Sequence, residues 1–138
     1  MGKENLNVIH GIFEWFNNVM DKKPGASFTR EQVAEHFTSD AKMIANGQTK
    51  CAGIEAHLAH FIEMQKKFKS MRVRIPVEYS VSGDDKVAAY YKIDYTTADG
   101  SPGLVHDSAL WKVRDNKIAL MVETVAFEGK EVPLDNHK

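Results

Sequence analysis

The chain has 138 residues, of which 43% are hydrophobic and 27% charged, with a formal net charge of −1. This composition excludes a disordered chain and predicts one domain that folds without a disulfide or a structural metal. The balanced charge argues against nucleic acid or a membrane as partner, and the single cysteine, Cys51, excludes an internal disulfide. No signal peptide and no apolar run of membrane-spanning length is recognisable, so we expect a cytoplasmic protein.

Three helices are predicted in the first half of the chain. Residues 6–20 carry two neighbouring apolar stripes at helical spacing, formed by Ile9, Phe13, Phe16 and Met20 and by Val8, Ile12, Trp15 and Val19. Thr29 is the expected N-cap of a short second helix, with Gln32 closing a capping box, and this helix ends near Phe37. A third helix follows Gly53, and its inner face extends to Phe68.

Strands dominate the rest of the chain. Asn46 and Gly47 predict a two-residue hairpin turn between two short strands. Residues 71–81 alternate as one strand that lies at an edge or bends at Pro76, because proline lacks the ladder donor. Three long strands follow over 87–97, 104–113 and 118–127, and a loose tail is expected after residue 128. Helices followed by long hairpin-linked strands predict an α+β fold whose coiled sheet encloses an apolar pocket.

The order of elements resembles the nuclear-transport-factor-2-like superfamily, which includes the SnoaL-like polyketide cyclases and ketosteroid isomerase. The resemblance covers residues 5–128 and is carried by residues 37–43, the turn at 46–47, residues 53–56 and the hairpin at 111–118. It implies a single SnoaL-like domain over 1–138, with a cone-shaped, curved antiparallel sheet wrapping about three N-terminal helices, as in a cystatin-like α+β barrel. It also implies a homodimer through the outer sheet face, with a small hydrophobic molecule as the other partner.

The catalytic residues of ketosteroid isomerase are not matched in this chain. Ala45 stands where the isomerase has its proton-shuttling aspartate on the first strand. Its oxyanion tyrosine falls near Trp15 or Phe16, and its protonated aspartate near Ala109. Steroid isomerisation by that mechanism is therefore not expected.

Two carboxylates are predicted to face the pocket as an acid–base pair. Strand parity turns Asp107, Ala109 and Trp111 inward. A one-residue bulge at the turn after Arg114 would pair Asp107 with Glu123, and such a pair would share one proton near neutral pH. A plain two-residue turn would instead turn Glu123 outward, and both carboxylates could also be surface groups or partners of tyrosine hydroxyls.

The candidate ligand-binding residues are mostly apolar or aromatic: Ile12, Trp15, Phe16, Met43, Phe61, Tyr91, Tyr95, Ala109, Trp111, Met121 and Val125. Tyr91 and Tyr95 combine an apolar ring with a polar tip that suits ligand orientation, although core tyrosines bonded to the carboxylates are an equal alternative. His57 and His60 lie one turn apart on the third helix, where no carboxylate or third histidine completes a metal set, so neither a metal nor a cofactor is expected.

These features support two functions. The first is an enzyme that acts by proton transfer on a small hydrophobic carbonyl compound, with Asp107 or Glu123 as the acid–base group. The second is a non-catalytic ligand-binding or dimeric scaffold module. Convergence of the two carboxylates inside a closed pocket would favour the first.

Overall fold

The structure is a computed structural model that describes residues 2–137, with the side chains of residues 2 and 3 left out. The helices and strands are, in chain order, α1 Gly2–Met20, α2 Arg30–His36, β1 Phe37–Ala45, β2 Gln48–Ala52, α3 Ile54–Lys67, β3 Phe68–Val73, β4 Tyr79–Ser82, β5 Lys86–Thr97, β6 Pro102–Arg114 and β7 Lys117–Gly129. In the described chain no helix is long and apolar enough to cross a membrane.

The strands form one strongly curled sheet, a half-barrel in the order β2-β1-β7-β6-β5-β3, with β4 also paired to β5. The three helices and this curled sheet confirm the predicted α+β fold. The sheet is mixed rather than purely antiparallel, because β1 and β7 run parallel. These two strands are distant in sequence, so no hairpin turn constrains their direction.

Local sequence signals explain where the helices begin and end. The Thr29 hydroxyl accepts a hydrogen bond from the Gln32 amide and caps α2, as predicted, whereas the Gln32 side chain accepts from the Ser27 amide instead of closing the capping box. Gly53 precedes α3 with φ of 88°, in the left-handed region that favours glycine. Phe68, expected on the third helix, instead begins β3 and is buried in the core.

The strand expected over 71–81 is divided into β3 and β4, both of which pair with β5. Pro76 lies between them, where its missing N–H cannot continue the ladder. The helices pack against the concave side of the sheet, and the core between them contains the inward residues of the three long strands. The fully buried residues of this core include Ile9 on α1, Val87 and Tyr91 on β5, and Trp111 on β6.

Residues 130–137, the described part of the C-terminal tail, have no helix and, apart from one isolated bridge at His137, no strand pairing, but they are held in place rather than loose. Lys50 Nζ donates to the Leu134 carbonyl at 2.8 Å, and Lys67 Nζ donates to the Pro133 carbonyl at 2.8 Å. The His137 amide also donates to the Lys50 carbonyl. Backbone carbonyls of the tail therefore accept the hydrogen bonds that hold it, and the residue types in the sequence do not indicate such contacts.

Candidate functional site

A cavity of about 310 Å³ lies between the helices and the concave face of the sheet. Its size is at the lower end of the range typical of small-molecule sites. Nine of the eleven predicted ligand-binding residues line it, namely Ile12, Trp15, Phe16, Met43, Phe61, Tyr91, Trp111, Met121 and Val125. The lining is mainly aliphatic and aromatic, and Asp107 and Glu123 are acidic groups within it.

Asp107 on β6 and Glu123 on β7 both face this cavity, but through a different register from the expected one. The turn at Asp115 and Asn116 is a plain two-residue turn, and both residues have positive φ. A bulge follows at Ala119, which restores the inward parity of Glu123. Glu123 therefore pairs with Ala109 instead of Asp107, so the two carboxylates lie diagonally across neighbouring strands.

The two carboxyl groups differ in their access to the cavity. Asp107 is only 1% exposed and accepts a hydrogen bond from the Tyr91 hydroxyl on Oδ2 at 3.0 Å. Its Oδ1 is buried and accepts no hydrogen bond from an amide, amine or hydroxyl group of the described residues. Glu123 is partly exposed. Both groups line the cavity, and Glu123 is the more accessible of the two.

Burial favours protonation of this pair. It raises the pKa of Glu123 well above its usual value, and the negative charge and hydrogen bonding of Asp107 raise it further. Burial also raises the pKa of Asp107, although hydrogen bonds with Glu123 and Tyr91 act in the opposite direction. The raised pKa values of the two groups therefore favour retention of a proton on the pair.

Tyr91 stays neutral in this environment, because burial raises its pKa and the two neighbouring carboxylates raise it further. Its hydroxyl donates to Asp107, so Tyr91 positions that carboxylate.

Two predicted ligand-binding residues do not line the cavity. Tyr95 is absent from the cavity wall: its hydroxyl donates to the Lys130 carbonyl at 2.6 Å, and its ring packs on Phe68. Ala109 is buried but also does not line the cavity.

The mouth of the cavity contains residues that the sequence pattern does not indicate. Asn46 and Lys50, from the hairpin of β1 and β2, line it beside Glu123, and the positive charge of Lys50 partly offsets the raised pKa of Glu123. The tail contributes Glu131, Val132, Pro133 and Leu134 to the wall. A short apolar run in an otherwise charged tail is the one sequence signal for this contact.

The histidines of α3 are buried rather than solvated, as shown by exposures of 0% for His57 and 5% for His60. The ring of His57 bonds to the Gly53 carbonyl and belongs to the core. Glu63 and His137, however, complete a group with His60 in which the candidate ligand atoms all lie within 4.8 Å of one another. The sequence reasoning missed this group because His137 is 74 residues from Glu63 along the chain.

These features define the class of protein. Residues 11–121 match the family model of the SnoaL-like domain, and the chain belongs to that family. The resemblance inferred from the order of elements is therefore confirmed. A search of curated protein sequences finds no significant match.

Solved structures share the fold at low sequence identity. An NTF2-like protein from Exiguobacterium sp. 255-15 is similar with a TM-score of 0.71 and 16% identity, over 86% of this chain and 98% of its own. An NTF2-like protein from Anabaena variabilis ATCC 29413 has a TM-score of 0.68 and 17% identity, over 91% and 92%. An LEH-like epoxide hydrolase from M. tuberculosis has a TM-score of 0.66 and 10% identity, over 91% and 84%.

Proposed function

We propose that this SnoaL-like protein binds a small hydrophobic carbonyl compound in its cavity and catalyses proton transfer at the carbon next to the carbonyl group. The observation that carries the proposal is the carboxyl pair, Asp107 and Glu123, within a mainly apolar wall. One shared proton gives the pair a base and an acid at the same pH, which is what acid–base catalysis requires.

The reaction can be written with these two groups alone. An ionised carboxylate of the pair removes a proton from the α-carbon, while the proton held by the pair passes to the carbonyl oxygen. An enol forms, and the pair again carries one proton. Return of a proton to a different carbon of the enol completes an isomerisation, and return to the same carbon gives exchange with solvent.

The accessible carboxyl group, Glu123, would contact the substrate. Asp107, held by Tyr91, would accept the proton of Glu123 in the resting state. Glu123 also pairs with Ala45 across the parallel contact of β1 and β7. The carboxyl group of Glu123 therefore lies next to Ala45, the position at which the resemblance implies that a first-strand base is missing.

Proton exchange tests the proposal without knowledge of the natural substrate. We expect the protein to accelerate the exchange of the α-hydrogens of 1-tetralone for deuterium in D₂O, followed by proton NMR. Glu123→Gln should lower the protein-dependent rate at least about tenfold, because general acid–base groups typically contribute a hundredfold or more. Asp107→Asn should also slow exchange.

Glu128→Gln is the matched control, since this carboxyl group lies on the same strand but is bonded to His106 on the outer face. It should leave the exchange rate unchanged. An absence of protein-dependent exchange, or equal rates for the wild type and Glu123→Gln, would contradict proton transfer on this class of substrate.

The loss of the first-strand acid at Ala45 favours a second candidate, a binding module without catalysis. It predicts that 1-tetralone shifts the NMR signals of cavity residues such as Trp15 and Met121, while its α-hydrogens exchange at the solvent rate. The same sample therefore separates the two functions.

A further inference from the structure

We propose that His60, Glu63 and His137 bind one divalent transition-metal ion, with Zn²⁺ as the best fit, and that this ion fastens the C-terminal tail to α3. The site is distinct from the carboxyl pair and does not depend on the proposed proton transfer. It joins a buried helix residue to a residue 77 positions later in the chain.

The three side chains are placed to converge. His60 and Glu63 are three residues apart on α3 and so share a face of the helix. His137 reaches them from the tail, and its Nε2 lies 2.7 Å from Glu63 Oε1. The backbone at His137 is held by a bridge to Cys51 and by the bond from its amide to the Lys50 carbonyl.

Distances within the group are close to those of a metal centre. The candidate ligand atoms lie within 4.8 Å of one another. Two ligands bound to tetrahedral Zn²⁺ at the usual lengths are about 3.4 Å apart. Side-chain shifts of about 1 Å would therefore complete the site.

The burial of His60 is a second, independent observation at this position. His60 is 95% inaccessible to solvent, since its exposure is 5%, and its Nδ1 has no hydrogen-bond partner in the described chain. A buried ring nitrogen without a partner is costly unless another group satisfies the ring. Two imidazoles and one carboxylate are the ligands that Zn²⁺ and neighbouring transition metals prefer, whereas Mg²⁺ and Ca²⁺ prefer oxygen alone.

The competing interpretation is a metal-free latch. The Glu63 carboxylate already accepts hydrogen bonds from the Asp135 amide and from Lys67 Nζ, which lies 2.8 Å from Oε2. Lys67 contacts Oε2, His137 contacts Oε1, and the Asp135 amide lies 3.0 Å from Oε2 and 3.3 Å from Oε1. A metal ion on Oε1 would replace the hydrogen bond from His137 and the longer contact of the Asp135 amide, while both contacts on Oε2 would remain.

Metal binding would also stabilise the covered state of the cavity. Val132, Pro133 and Leu134 line the cavity and immediately precede the segment that carries His137. His60 itself lines the cavity. An ion at this position would therefore hold the tail across the mouth and hinder exchange of a bound molecule.

Isothermal titration calorimetry with ZnCl₂ on the full chain, without an added polyhistidine tag, tests the proposal. We expect one Zn²⁺ per chain and no comparable heat with MgCl₂. His137→Gln and Glu63→Gln should each weaken Zn²⁺ binding at least tenfold. Hydrogen–deuterium exchange of the amides of residues 131–136 should slow when Zn²⁺ is added to the wild type but not to His137→Gln.

His106→Gln is the matched control, because His106 Nε2 also lies 2.6 Å from a carboxylate oxygen, that of Glu128, in a pair that is not part of this three-residue group. It should bind Zn²⁺ as the wild type does. Absence of binding at 1 mM ZnCl₂ would overturn the proposal in favour of the metal-free latch. Binding that is unchanged in both His137→Gln and Glu63→Gln would overturn this choice of ligands.

Discussion

Asp107 and Glu123 make the stability of this protein depend on pH. In the unfolded chain both groups ionise near pH 4, whereas burial raises the pKa of each in the folded protein. The folded state then binds more protons than the unfolded state above pH 4, so the free energy of unfolding falls as pH rises through this window.

We therefore compare the free energy of unfolding of Glu123→Gln with that of the wild type at two pH values. We expect the variant to gain stability over the wild type at pH 8 relative to the difference at pH 4.5. Each unit by which the folded pKa is raised contributes about 1.4 kcal/mol. Urea denaturation at several pH values measures this difference, with Glu128→Gln as the control. A constant difference across this range would show that Glu123 ionises normally.

Carboxyl-carbon NMR titration examines the same pair directly. We expect one carboxyl group to titrate well above pH 4, because Asp107 and Glu123 share a proton in a buried site. Asp107→Asn should lower the midpoint of Glu123, since it removes a negative charge that raises that pKa. Two independent midpoints near 4 would contradict a shared proton and the enzymatic proposal that rests on it.

Trp15 combines packing with a role in the cavity wall. Its ring meets Phe28 and Phe61 edge to face, and its Nε1 donates to Gln32 at 2.8 Å. We expect Trp15→Ala to lower the free energy of unfolding by about 3 to 5 kcal/mol, as for other buried aromatics. Chemical denaturation measures it.

Ile62→Ala provides the comparison, because Ile62 on the same layer of helices is 36% exposed and should cost much less. A loss below about 1 kcal/mol for Trp15→Ala would mean that the ring only borders the cavity and contributes little to core packing.

At the scale of elements, hairpin and capping signals such as Thr29 and the turn at Asn46 could be read from the sequence because they are local. The position of the bulge in β7 could not be predicted, because the pairing with β6 is equally local on either side of Ala119. The packing of the core selects that position. The hydrogen bonds that hold the tail could not be predicted for another reason: its partners, the amine groups of Lys50 and Lys67, are distant in sequence.

Deletion of Ala119 tests what the bulge does. Without this residue Ile118 and Leu120 would follow one another opposite Val113 and Lys112, so the ladder would become regular while Met121 and Glu123 stay on the inner face. We therefore expect the deletion variant to keep a cooperative thermal transition, a dispersed NMR spectrum and the titration of Glu123. Ala119→Gly keeps the chain length and should remain folded.

Loss of the cooperative transition in the deletion variant, or a Glu123 that titrates near pH 4, would be incompatible with a ladder in which Ala119 is the extra residue. Such a result would mean that β7 needs this residue for a reason other than the register, for example the bend that a bulge gives the strand.

At the scale of the whole molecule, one face of the sheet is covered by helices and the other is open. The outer parity set of β6 contains Leu104, His106, Ser108 and Leu110. Tyr79 and Val81 on β4 are 72% and 75% exposed, and Leu110 and Val122 are 38% and 36% exposed. These four residues, which we term the outer patch, line a shallow groove on β4 to β7.

Apolar residues gathered on one exposed sheet face are characteristic of protein interfaces, and a two-fold symmetric dimer would bury the same patch on both subunits. We expect sedimentation velocity to show a homodimer at micromolar concentration. Val81→Lys should weaken dimerisation at least tenfold, because each subunit would then bury an unpaired ammonium group. Gln65→Lys adds the same charge on the exposed surface of α3 and should leave the dimer intact. A wild-type monomer at these concentrations, or a dimer equally stable in Val81→Lys, would exclude the outer patch as the interface.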